Sequence, residues 1–220
     1  MTGEHIISLD ALAVPLAAAL WCMLPAYVPN SVAACFGGGR PIDGGRVLSD
    51  GERILGDGKT YRGLFSGIAG GILVGLAQLW LQGTVESFPL PAHTLSSVVL
   101  FSVGALAGDL AKSFLKRRLG KPSGERWPVA DQYDLVAGAF LLAGIFDPAW
   151  LLSSVSLPVL LWILVLTPLL HRAANVIGYL AGVQDVPWYT RSSNSQRSTA
   201  HSNSGISSSH RVKGAPTTST

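Results

Sequence analysis

The sequence predicts an all-α integral membrane protein of about five spans, each near the roughly 20 apolar residues that cross a bilayer. Three observations predict it. Only 13% of the 220 residues are charged, 48% are hydrophobic and the mean hydropathy is +0.38. Soluble domains carry about 25% charged residues, so an ordinary water-soluble enzyme is excluded, and the abundance of Leu, Ile and Val excludes a wholly disordered chain. Long stretches carry no charge at all, and the 16 Lys and Arg residues fall into three clusters between them.

The first span, about 11–28, contains Trp21, Cys22 and two prolines. The second, about 64–83, opens after Arg62 and runs through Gly67, Gly70, Gly71 and Gly75, a pattern that predicts close helix packing. The third, about 94–114, ends on a charged cluster. The apolar stretch from Leu135 to Leu170 would be about 54 Å long as one helix at about 1.5 Å per residue, too long for a hydrocarbon core of about 30 Å. Phe146-Asp147-Pro148 is the place to break it, giving spans of about 133–147 and 150–171.

Charge sets the expected orientation. Arg40, Arg46, Arg53, Lys59 and Arg62 fall in the first polar loop, 29–63. Lys112, Lys116, Arg117, Arg118, Lys121 and Arg126 lie at the end of the third span and in the loop 115–132, and the remaining five, from Arg172 onward, follow the fifth span. The N-terminal segment and the connections near Glu86 and Asp147 have none. The positive-inside rule then places the N-terminus outside, the C-terminus in the cytoplasm and both polar loops on the cytoplasmic face of a multi-pass cell-membrane protein. A secretory signal peptide is not expected, because residues 1–10 lack Lys and Arg. Cys22 and Cys35 have no metal-ligand spacing and no disulfide is expected. In the tail, 190–220, 15 of 31 residues are Ser or Thr, which predicts disorder.

The two loops carry the chemistry. Loop 29–63 holds nine glycines, four acids and five bases. Glycine lets a backbone approach a ligand closely, interleaved Arg and Lys supply donors for phosphate oxygens, and Asp can hold a hard cation. Gly58-Lys59-Thr60 is not a P-loop: position 53 is Arg53 where that motif needs glycine, and no strand-like run precedes it. In the second block, Asp109, Lys112, Ser113 and Lys116 share one helix face. Asp109 lies inside an apolar span, where a carboxylate is costly and points to function. Asp131 and Asp134, three apart, face the same way on a helix. With Asp109 they form a candidate carboxylate site for Mg²⁺; the alternative for the pair is an acidic helix N-terminus that favours the dipole.

Read together, these blocks resemble the archaeal CDP-archaeol synthases, part of the wider CTP-transferase group that includes the CDP-diacylglycerol synthases. The resemblance rests on Pro29-Asn30, on Gly38-Gly39-Arg40-Pro41-Ile42-Asp43-Gly44-Gly45-Arg46 and on Leu55-Gly56-Asp57-Gly58-Lys59-Thr60-Tyr61-Arg62-Gly63. It continues in Gly108-Asp109-Leu110, Lys112-Ser113-Phe114, Lys116-Arg117-Arg118 and Trp127-Pro128 with Asp131-Gln132-Tyr133-Asp134. It runs from about Leu24 to Trp188. The Pro-Gly-His-Gly-Gly element of the bacterial and eukaryotic enzymes is absent, which points to the archaeal branch.

The resemblance implies a Mg²⁺-dependent reaction of CTP with 2,3-bis-O-geranylgeranylglycerol 1-phosphate, an isoprenoid ether lipid phosphate, at the lipid bilayer; no nucleic-acid partner is expected. It makes Asp109, Asp131, Asp134 and Lys116 the catalytic candidates, the three aspartates being the metal ligands. The candidate substrate-binding residues are Asn30, Arg40, Asp43, Arg46, Asp57, Lys59, Thr60, Arg62, Lys112, Ser113 and Arg117. A polyprenol kinase using CTP is the second reading, distinguished by release of CDP in place of pyrophosphate. A small transporter is the third, but transporter sites lie near the midplane and often come with internal repeats, whereas these charges gather at one face and no repeat is visible.

Overall fold

A computed structural model of the chain describes residues 9–121, 125, 127–180 and 182. Six helices follow in order: α1 (Leu9–Phe36), α2 (Tyr61–Leu81), α3 (Leu95–Arg118), α4 (Ala130–Phe146), α5 (Pro148–Ser154) and α6 (Leu157–Leu180), with a 3₁₀ turn, Gln82–Thr84, after α2. Among the described residues the strand-like pairings are two isolated bridges, Pro41–Thr60 and Val47–Arg53, so the fold is all-α. Four helices, α1, α2, α3 and α6, are long and apolar enough to cross a membrane. The 17-residue α4 would reach only about 25 Å, the short end of the spanning range.

The expected break falls between α4 and α5. Asp147 ends α4 and caps α5, its carboxylate accepting from the Trp150 N–H at 3.3 Å. A second break follows α5, and Pro158 stands in the first turn of α6, where a missing N–H costs nothing. Other helix ends differ from the expected ones. α1 continues to Phe36, α3 carries Lys116 and Arg117, and α6 extends through 172–180, so the polar connections shorten to 37–60 and 119–129. The expected tail, 190–220, and Arg126 lie outside the described residues.

α1 keeps its helix through Pro15, Pro25 and Pro29, and α6 through Pro168. Each proline lacks an N–H, which frees the carbonyl four residues earlier. Side chains from neighbouring helices and connections supply what is missing. Gln78 Nε2 donates to the Trp21 carbonyl at 2.7 Å, Ser102 Oγ to that of Pro25 at 3.2 Å, and Tyr133 Oη to that of Leu164 at 2.9 Å. Irregular backbone at membrane depth is tolerated where protein groups satisfy it in this way.

Glycines set the distances between helices. A Cβ on Gly67 or Gly71 would stand 2.7 Å from the carbonyl oxygen of Pro29 or Pro25 in α1, and one on Gly75 2.3 Å from Val98 in α3. The α3–α4 contact is tighter still. A Cβ on Gly108 would lie 2.0 Å from the Asp134 carbonyl oxygen, and one on Gly138 2.1 Å from that of Gly104. Beside this seam Phe101 is fully buried, edge-on to Trp150 at 5.2 Å.

At the opposite end of the bundle from the 37–60 connection, His93 is buried, with Nδ1 3.2 Å from Ser97 Oγ and its ring stacked on Trp150 at 5.6 Å. Trp21 Nε1 donates to the Pro91 carbonyl at 3.1 Å and Trp150 Nε1 to that of Ala92 at 2.7 Å. Burial holds the His93 ring below the ordinary histidine pKa, so it is neutral. Because its folded pKa is depressed, the stability it contributes is present above the unfolded value of about 6.5 and is lost as pH falls below it.

Two outcomes follow. Melting temperature drops on going from about pH 7.5 to about pH 5.5, and His93→Gln shrinks that drop; an equal drop in the variant would clear His93 of the effect. Gly138→Ala forces α3 and α4 apart and lowers stability by about 1–3 kcal/mol, read as thermal aggregation in detergent against a surface-facing Gly83→Ala control.

Candidate active site

The 37–60 connection is folded around one side chain. Asp43 is buried and accepts from Arg53 Nε at 3.2 Å and Nη2 at 2.6 Å, and from the backbone N–H groups of Gly45, Leu55 and Gly56 at 3.1, 3.0 and 2.9 Å. The Arg53 guanidinium, with those three N–H groups, holds the Asp43 carboxyl well below the usual carboxylate range despite its burial. Gly56 can turn its N–H onto Asp43 because its φ of 99° is open to glycine. Arg53 also pairs with Asp57 at 2.8 Å. From α3, Arg118 reaches Asp50 at 2.5 Å and the carbonyls of Glu52 and Arg53 at 3.2 and 2.5 Å.

The clasp sets the loop's last residues against α3. Ile42 N–H donates to the Lys59 carbonyl at 2.8 Å, and Thr60 caps α2 by accepting from Gly63 N–H at 3.1 Å. The Lys59 ammonium thereby meets the Asp109 carboxylate. Lys112 lies 3.1 Å from Asp109, 3.5 Å from Asp131 and 2.6 Å from Asp134. Lys116 lies 2.6 Å from Asp131 and donates to the Glu125 carbonyl at 2.8 Å. Three carboxylates and three ammoniums thus interlock, and Arg117, buried beside them, adds one more positive charge.

These side chains line one polar cavity of about 340 Å³, a size suited to a small ligand. It gathers Asn30, Lys59, Thr60, Asp109, Lys112, Ser113, Lys116, Arg117, Asp131 and Asp134 of the predicted set. The other predicted residues are elsewhere. Asp43 organises the loop, Asp57 is exposed on Arg53, and Arg40, Arg46 and Arg62 are exposed at the surface. Within the cavity, Thr60 Oγ1 is engaged as a cap and Ser113 Oγ donates to the Asp109 carbonyl at 2.8 Å.

Among the described residues no three His, Cys, Asp or Glu side chains form a ready chelate, because the Lys112 ammonium sits against all three aspartates. The donor set is nevertheless the all-oxygen kind a hard cation takes. Asp134 Oδ2 is buried and, although 2.6 Å from Lys112, receives no aligned hydrogen bond.

Sequence reasoning missed His171 and Asn175, which line the same cavity from α6. The available signal was polar residues four apart at the end of an apolar helix, where polar groups are by default functional. A second, mostly apolar cavity of about 500 Å³ lies between α1 and α6, lined by residues such as Leu20, Leu24, Leu170 and Ile177.

A family model for CarS-like CDP-archaeol synthases matches residues 12–188. The CDP-archaeol synthase of Methanoculleus marisnigri is 61% identical over 166 residues, 76% of this chain and all (100%) of that protein. That of Methanosarcina mazei is 46% identical over 177 residues, with the same coverage, 76% and 100%. A solved intramembrane enzyme of archaeal membrane lipid biosynthesis is 36% identical, with a TM-score of 0.60 over 73% of this chain and 94% of that one. With four apolar helices long enough to span, the chain is a multi-pass membrane protein.

The Asp43 clasp is open to direct test. Because its folded pKa is depressed, its contribution is present above the unfolded aspartate value of about 4 and is lost only as pH falls through the lower folded value. At neutral pH, Asp43→Ala speeds tryptic cleavage after Arg46 and Arg53 by about tenfold; an unchanged cleavage rate would mean the loop is held by other contacts.

Proposed function

The chain belongs to the CarS-like CDP-archaeol synthase family, and on that premise we propose that it transfers the cytidylyl group of CTP to 2,3-bis-O-(geranylgeranyl)-sn-glycerol 1-phosphate. The products are unsaturated CDP-archaeol and pyrophosphate, which makes the protein a nucleotidyltransferase of archaeal ether-lipid synthesis. One observation carries the reading: Lys59, Lys112, Lys116 and Arg117 surround a polar cavity that adjoins an apolar one between α1 and α6. A polyanionic nucleotide and the phosphate of an amphiphile need those two environments side by side.

In the reaction an oxygen of the lipid phosphate attacks the α-phosphorus of CTP. A new P–O bond forms as the bond to the α,β-bridging oxygen breaks, and the electron pair leaves with pyrophosphate. No protein nucleophile is required, and the lining serine, Ser113, donates its hydroxyl to the Asp109 carbonyl. Cationic side chains held ready by carboxylates exchange onto the phosphates and neutralise charge where two anions meet. Lys59 and Lys112 are assigned to the triphosphate, with Lys116 and Arg117 at the attacked and departing groups.

Asp109, Asp131 and Asp134 would hold Mg²⁺, which would lend charge neutralisation on the phosphates when bound. The apolar cavity takes the isoprenoid chains. The positive-inside distribution supports a cytoplasmic site, on the side where CTP is made available.

The deciding experiment supplies detergent-purified protein with Mg²⁺, CTP labelled at the α-phosphate and the lipid phosphate. Label passing into the lipid with pyrophosphate release is expected. Label recovered in water as CDP would replace this reading with the kinase. Asp134→Asn abolishes turnover while the protein stays folded; near-normal turnover would remove Asp134 from the site.

A further inference from the structure

We propose that His171 and Asn175, one turn apart on α6, bind the phosphate headgroup of the lipid substrate at the boundary between the two cavities. The inference rests on the cytidylyl-transfer reading and assigns residues that reading leaves without a role. Four residues line both cavities: Asn30, Ala34, His171 and Asn175. An amphiphile whose chains lie in the apolar cavity and whose phosphate reaches the lysines must pass between them. Ala34 is small and leaves that passage open, and the other three are polar.

The chemistry of the three suits an incoming nucleophile. His171 and Asn175 are four apart, so they present side chains on one helix face. An imidazole N–H and an amide NH₂ donate hydrogen bonds without a fixed charge. They can orient a phosphate while leaving its oxygen more electron-rich than an ammonium would. Lys59, Lys112 and Lys116, which line the same polar cavity, are each held against carboxylates. Asn30 faces this boundary from α1, and its buried Oδ1 has no hydrogen-bond partner. That amide is completed by a substrate donor or, turned about, by a phosphate or ether oxygen.

The test uses the full chain in detergent micelles, with retention of radiolabelled lipid phosphate measured without CTP and CTP binding measured without lipid. Asn175→Leu keeps the side-chain size and removes the amide donor without adding charge; His171→Phe keeps a ring and removes the donor; His171→Gln restores an N–H. Asn175→Leu and His171→Phe are expected to weaken lipid-phosphate retention by about tenfold or more, and His171→Gln by no more than about threefold. All three keep CTP binding within about threefold of the unsubstituted protein, a much smaller loss than that of the lipid phosphate, which reports that they are folded. Retention equal to the unsubstituted protein, or CTP binding lost in proportion, overturns the assignment. If the unsubstituted protein retains the lipid phosphate in this pattern yet transfers no cytidylyl group, the headgroup site stands and the transferase reading falls. If it transfers normally and the variants keep its KM for lipid, the reverse holds.

Discussion

Two helices touch through their backbones, and the charged cavity depends on that contact. Where α3 crosses α4, Gly104, Gly108 and Gly138 leave no side chain between the chains. Gly108 precedes Asp109 and lies against the carbonyl of Asp134, so the approach of two backbones is also the approach of two carboxylates. Lys112, one turn further along α3, then reaches both. Any side chain at Gly108 would part the pair and leave buried charges without their counter-ion, which is far costlier than never having had the pair.

Interlocked ion pairs of this kind are a poor way to stabilise a fold, since desolvation offsets much of the attraction. They are a good way to keep cations in place for a polyanion. Each of the three ammoniums, on Lys59, Lys112 and Lys116, is held by at least one carboxylate. The loop clasp around Asp43 serves the same end at one remove, because it fixes the strand-like return that delivers Lys59 to Asp109.

Much of this was legible in the chain because the signals are local. Hydropathy marked the long helices, Asp147-Pro148 marked the break, and the spacing of Asp109, Lys112, Ser113 and Lys116 put them on one face. The rest depends on partners far away in sequence. Asp43 in a glycine-rich loop reads equally as a ligand or as a clasp until Arg53 and three backbone N–H groups are seen around it. His171 and Asn175 look like an ordinary helix end until α1 is packed against α6. The first helix runs past its expected end through Pro29, and the Pro25 carbonyl that this proline leaves free is served by Ser102, 77 residues away.

The prolines of α1 carry a consequence for how the helices depend on one another. Without α2 and α3 beside it, α1 would leave the Trp21 and Pro25 carbonyls in hydrocarbon without Gln78 or Ser102. An unsatisfied carbonyl there costs several kcal/mol. A helix with those carbonyls bare is poorly able to rest alone in lipid. Its stability in the bilayer is tied to the two helices that supply those donors.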